Sequence, residues 1–112
     1  MSINSKIKAA IEPIVPDCEP NVYNGASVEY CTFNYTEMPT CFGNDEPGMI
    51  RYLVQVHWLL PAKANPLSKK KSIKSALLTA GFTYPSVTPA SDSSGQHYVF
   101  ECEFLEGVSE DG

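Results

Sequence analysis

Between residues 49 and 60, Ile50, Tyr52, Val54, Val56, Trp58 and Leu60 occupy every second position, with Arg51, Gln55 and His57 between them. A period of two sustained over this length belongs to an extended strand, whose successive side chains leave on opposite faces. A face of large apolar groups must be covered, so the chain is expected to be built around a sheet with this strand at its centre. Pro61 closes the strand by removing a backbone donor.

Other segments fit around it. In residues 28–36, Cys31, Phe33 and Tyr35 share one face opposite Tyr30, Thr32 and Asn34; the aromatic and β-branched content reads as a second strand. Residues 97–105 alternate Tyr98, Phe100, Cys102 and Phe104 against His97, Glu101 and Glu103, giving a last strand with a core face and an acidic face. Residues 82–89 form a weaker strand broken by Pro85 and Pro89, which suits a sheet edge. Ile3, Ile7, Ala10, Ile11 and Ile14 lay an apolar stripe along a first helix ended by Pro13 and Pro16. Asn65 followed by Pro66 opens a second helix, with Ile73, Ala76, Leu77 and Ala80 inward and Lys70, Lys71 and Lys74 outward. Gly81 supplies its left-handed stop.

Residues 16–27 read as a connector rich in turn formers. Residues 37–48 carry Pro39, Gly43, Asn44, Asp45, Pro47 and Gly48 and read as a long loop, on which Met38, Cys41 and Phe42 fold back or dock a partner. The expected architecture is α+β: two helices packed on one face of an antiparallel sheet, in the order α-β-β-α-β-β, with a long loop between the first two strands. At 112 residues this is a single domain, 1–112, with 106–112 a frayed acidic tail.

Charge narrows the function. A formal net charge of −5 is a poor match to gripping a phosphate backbone, which needs clustered Lys and Arg. Five of the eight basic residues, Lys63, Lys69, Lys70, Lys71 and Lys74, nevertheless fall in one short stretch, while acids cluster at 101–111. Such a two-sided molecule suits contact between copies. A small nucleic-acid-binding module using the helix from Lys69 to Lys74 is the alternative from another class. The longest apolar run, Trp58-Leu59-Leu60, is too short for a bilayer, and the N-terminus lacks the apolar core of a secretory signal.

No catalytic motif is found: neither a nucleophile elbow, a zinc-protease helix, a P-loop nor a dinucleotide fingerprint occurs. Glu101 and Glu103 sit two apart on one strand face, a spacing open to acid–base work but better matched to a solvent-facing or subunit-facing sheet. His57 and His97 fall on the polar sides of their strands, where they could approach each other; two histidines make an incomplete zinc site, so a satisfied surface role is the expected one. Cys18, Cys31, Cys41 and Cys102 are spaced 13, 10 and 61 apart, which signals neither a zinc ribbon nor a disulfide framework. No enzyme activity, cofactor or metal is therefore expected.

The run VEYCTFNYTEMPT at 28–40 and IRYLVQVH at 50–57 resemble small proteins encoded among phage head–tail genes of Gram-positive bacteria. PLSKKK at 66–71 leading to AGFTYP at 80–85, and GQHYVFEC at 95–102, extend the similarity over most of the chain. The chain is identified as similar to the tail-completion or tail-terminator group of long-tailed bacteriophages and prophages. That resemblance implies an α+β protomer in a ring, commonly hexameric, that caps the tail tube and joins it to the head connector. It implies synthesis in a bacterial cytoplasm, residence at the virion head–tail joint, and DNA passing through without specific binding. A head–tail stopper or another neck component is the close alternative. The surfaces expected to meet copies or the tube are Met38, Pro39 and Phe42, the lysines Lys69, Lys70, Lys71 and Lys74, and the acidic pair Glu101 and Glu103.

Overall fold

The computed structural model describes residues 2–43 and 46–107, and in 41–43 and 46–47 the backbone alone. The element order is α1 (Ile3–Ile11), β1 (Cys18–Pro20), β2 (Tyr30–Gly43), β3 (Glu46–Leu60), α2 (Leu67–Thr79), β4 (Ser86–Pro89) and β5 (Gln96–Gly107). The strands form one sheet in the order β1-β2-β3-β5-β4. β1 runs parallel to β2, and the other neighbours are antiparallel.

The inward residues of β3 meet those of the flanking strands in register: Trp58 lies between Cys31 and Tyr98, Val56 between Phe33 and Phe100, and Val54 between Tyr35 and Cys102. Ile3, Ile7 and Ile11 of α1 and Ile73 and Leu77 of α2 close over that face, together with Val15 and Phe82, in one buried cluster. Trp58, Phe33 and Phe100 are fully buried, and withdrawing each such side chain from water stabilises the fold by about 1.5–3 kcal/mol. The Tyr35 hydroxyl donates to Asn4 Oδ1 at 2.6 Å and so pins α1 to β2.

Both helices have identifiable ends. Ser2 Oγ accepts from the Ser5 amide at 3.1 Å, satisfying one of the free donors of α1. Asn65 Oδ1 accepts from the Leu67 amide at 3.1 Å, and the cap position itself is Pro66, one residue later than the sequence suggests. Gly81, with φ of 101°, turns the chain out of α2 and lets the Phe82 amide bond back to Leu77 O at 3.0 Å.

Two features overturn the expected architecture. The sheet is mixed rather than antiparallel, and the order is α-β-β-β-α-β-β. The added strand, β1, lies inside the stretch read as a connector. It is short and contains Pro20, so its local signal is weak; the buried Cys18 and its pairing with Cys31 hold it in the sheet. The expected long loop at 37–48 is also absent, because β2 and β3 stay paired until Gly43 meets Glu46.

Pro39 shows how the ladder passes through a proline. The Cys31 amide and the Phe33 carbonyl point outward, toward the β1 side. Every second residue of a strand repeats that direction, so the missing donor of Pro39 falls on the outer edge and costs no ladder bond. The continuous hairpin contributes to an elongated shape, 54 × 24 × 23 Å. Glu106 and Gly107, assigned from sequence to a frayed tail, pair with Ile50 and Met49; the remainder of that tail, 108–112, lies outside the described residues.

Candidate assembly surface

Among the described residues the second face of the sheet carries no helix. Register places its side chains in rows: Tyr30, Leu59 and His97; Thr32, His57 and Val99; Asn34, Gln55 and Glu101; Thr36, Leu53 and Glu103; Met38, Arg51 and Leu105. The last two rows lie toward the far end of the hairpin and combine three exposed apolar side chains with one ion pair. Met38, Leu53 and Leu105 are 44%, 36% and 50% exposed. Arg51 Nε stands 3.7 Å from Glu103 Oε1 between them.

One edge of the same region is open. β1 covers β2 only at 31–33, so from Asn34 onward the outer edge of β2 meets no strand among the described residues. On the opposite side β4 covers β5 at 98–101, and Thr83 extends the cover through its bonds with the Glu103 amide and carbonyl at 2.8 and 2.9 Å.

The sites expected from sequence are distributed over both faces. Met38 and Pro39 are exposed on the protruding part of β2, on opposite faces; Phe42 has its backbone in β2, and its side chain lies outside the described residues. Glu101 and Glu103 are both exposed on the uncovered face. Gln55 Nε2 approaches Glu101 at 3.4 Å, while Glu103 faces Arg51. The lysines lie on the helical side, away from that face. Lys69 is tied to Glu29 at 2.8 Å, Lys70 lies 4.3 Å from the Tyr98 ring centroid, and Lys74 lies 5.7 Å from that of Tyr84. Lys71 is exposed. Much of the basic cluster thus screens aromatic surface and anchors α2, as long amphipathic side chains do.

Leu53 and Leu105 are not evident from sequence as contact residues. Their signal was an apolar residue on the polar side of an alternating strand, which is weak for any single position and becomes meaningful only when the register sets it beside Met38.

Two other groups bear on chemistry. His57 and His97 meet on the uncovered face with Nδ1 and Nε2 2.9 Å apart. Burial first, and His97 second, push the His57 pKa down from its ordinary value, with Glu101 opposing them. Cys18, Cys31 and Cys102 are buried, and burial pushes all three thiols up, Cys18 and Cys102 to about 12. They remain neutral near pH 7 and act as small apolar packing groups rather than nucleophiles. Among the described residues no helix is long and apolar enough to cross a membrane. No family model matches the sequence, and no curated protein matches it.

Proposed function

We propose that this chain is a structural assembly protein, acting by contact with copies of itself and with other particle components, in the manner of the phage tail-completion and tail-terminator proteins that its sequence resembles. On this reading it forms a ring at the head–tail joint, with the tail tube on one side and the head connector on the other. DNA passes through that ring without being specifically held.

The observation that carries the reading is the exposed group of Met38, Leu53 and Leu105 in two adjacent rows of a sheet face that no helix covers among the described residues. Exposed apolar side chains flanking a single ion pair on an otherwise polar sheet face suit a protein contact. The extended hairpin and open strand edge add reach and unpaired backbone groups for such a contact.

Light scattering across a concentration series tests the reading. The native chain is expected to rise above the protomer mass of 12.3 kDa. A Met38→Glu, Leu53→Glu, Leu105→Glu triple variant is expected to stay at that mass while keeping its circular dichroism spectrum. A native chain that never leaves the protomer mass, or a triple variant that assembles like it, would count against the proposal.

A further inference from the structure

His57 on β3 pairs in register with Val99, so its two diagonal neighbours on β5 along the uncovered face are His97 on one side and Glu101 on the other. Diagonal positions lie about 7–8 Å apart across a sheet, within reach of long and aromatic side chains. His57 leans toward His97, with Nδ1 2.9 Å from Nε2 and the ring centroids 5.1 Å apart. We propose that His57 is a two-position acid switch: it bonds His97 while the pair holds no more than one added proton, and it turns to the Glu101 carboxylate when both rings are protonated.

The chemistry of the contact imposes the first position. A ring-to-ring hydrogen bond needs one donor and one acceptor. Asn34 Nδ2 faces His57 Nε2 at 3.5 Å, an orientation that makes Nε2 the acceptor and places the hydrogen of neutral His57 on Nδ1, from which it is donated to His97 Nε2. One added proton is compatible with the bond, because a charged ring still donates to a neutral one. A second is not: every ring nitrogen then carries a hydrogen, so two N–H groups and two positive charges confront each other. Burial first and His97 second hold the His57 pKa below its ordinary 6.5, and Glu101 opposes them. The rings therefore stay together at neutral pH and part in acid.

Glu101 is placed to receive the ring. It is exposed, and its partner Gln55 Nε2 stands 3.4 Å away, a weak bond that a charged imidazole displaces. The turn is a side-chain rotation that leaves the pairing of β3 with β5 unbroken. The other titratable groups facing the pair are Tyr30 of β2, Tyr23 from the segment before it, and Asp92 from the turn before β5. Glu19 of β1 stands beyond Thr32 with Lys8 3.9 Å from its carboxylate. Arg51, the next charge along β3 on this face, is held by Glu103. Among the described residues Glu101 is the one carboxylate diagonal to His57. Acid thus adds two positive charges to the middle of the uncovered face and moves one of them toward its acidic rows.

Magnetic resonance of the ring nitrogens and ring protons in the full chain, titrated from neutral pH into acid, tests the proposal. At the neutral end His57 is expected to carry its hydrogen on Nδ1. On acidification the pair is expected to titrate in two resolved steps, as coupled groups do, with the second below 6.5. Across that second step, proton–proton contacts between the two rings are expected to vanish and contacts from the His57 ring to the Glu101 side chain to appear, a readout that needs no variant to fold. His97→Gln is expected to raise the His57 midpoint toward 6.5, and Glu101→Gln to lower it. A single common step for both histidines, ring-to-ring contacts that survive full protonation, or a His57 midpoint unmoved by His97→Gln would overturn the switch.

Discussion

The indole N–H of Trp58 donates to Glu29 Oε2 at 2.9 Å, and the other oxygen of that carboxylate accepts from Lys69 Nζ at 2.8 Å. Trp58 is fully buried, so its single polar atom needs a partner inside the fold. Glu29 supplies one from just before β2, and Lys69 braces the carboxylate from the first turn of α2. The three residues therefore join the sheet to the helix that covers it.

Removing different members of this chain is expected to have unequal effects. Glu29→Ala strands the indole donor and is expected to destabilise the protein by about 1–3 kcal/mol. Lys69→Ala leaves that bond intact and removes a partly exposed ion pair, worth less than about 1 kcal/mol. Glu29→Gln retains an acceptor and is expected to fall near the native value. Urea unfolding followed by the fluorescence of the single tryptophan measures all three. Equal losses for Glu29→Ala and Lys69→Ala would contradict the arrangement.

The inward direction of Trp58 was legible because alternation in β3 is a local property of the sequence. Its partner was not, since Glu29 reaches it only through the register of β2 on β3. The same distinction explains the other differences. Gly81 and the apolar stripe of α1 act through nearby residues and could be read directly. β1 exists through its pairing with β2, and the turn-forming residues at 37–48 concealed strands that stay paired almost to the tip. The placement of Lys69, Lys70, Lys71 and Lys74 on one helix follows from the local pattern, whereas the contacts of Lys69 with Glu29 and of Lys70 with Tyr98 depend on packing. Alternation within each strand puts His57 and His97 on the polar face, but their contact is a diagonal relation that requires the β3–β5 register.

Pro39 gives the open edge of β2 a definite sensitivity. Because its missing donor would have pointed outward, the residue interrupts the row of backbone groups available to an incoming strand. Pro39→Thr restores that donor and suits extended backbone. Its stability is expected to change by less than about 1 kcal/mol, as for an exposed edge substitution, while edge-to-edge association increases. Sedimentation velocity of native and variant chains at matched concentration reads this directly. A variant as dispersed as the native chain would mean that something other than Pro39 protects the edge.

The buried thiols predict the response to alkali. Unfolded cysteine has an ordinary pKa of 9.0, whereas burial raises Cys18 and Cys102 to about 12 and raises Cys31 as well. Between pH 9 and 12 the unfolded chain releases thiol protons that the folded chain retains. The unfolded state then binds fewer protons, so the stabilising contribution, fully present below pH 9, declines as pH rises through that window. The decline is up to about 1.4 kcal/mol per pH unit for each thiol. Urea midpoints measured across this range are expected to fall, and Cys102→Ala is expected to make the fall shallower. At pH 8, alkylation mapped by peptide mass is expected to spare Cys18, Cys31 and Cys102 in the native chain and to modify them rapidly in denaturant. Rapid native modification of any of the three would show that the thiol is reached without unfolding, and its role as a sealed packing group would fail.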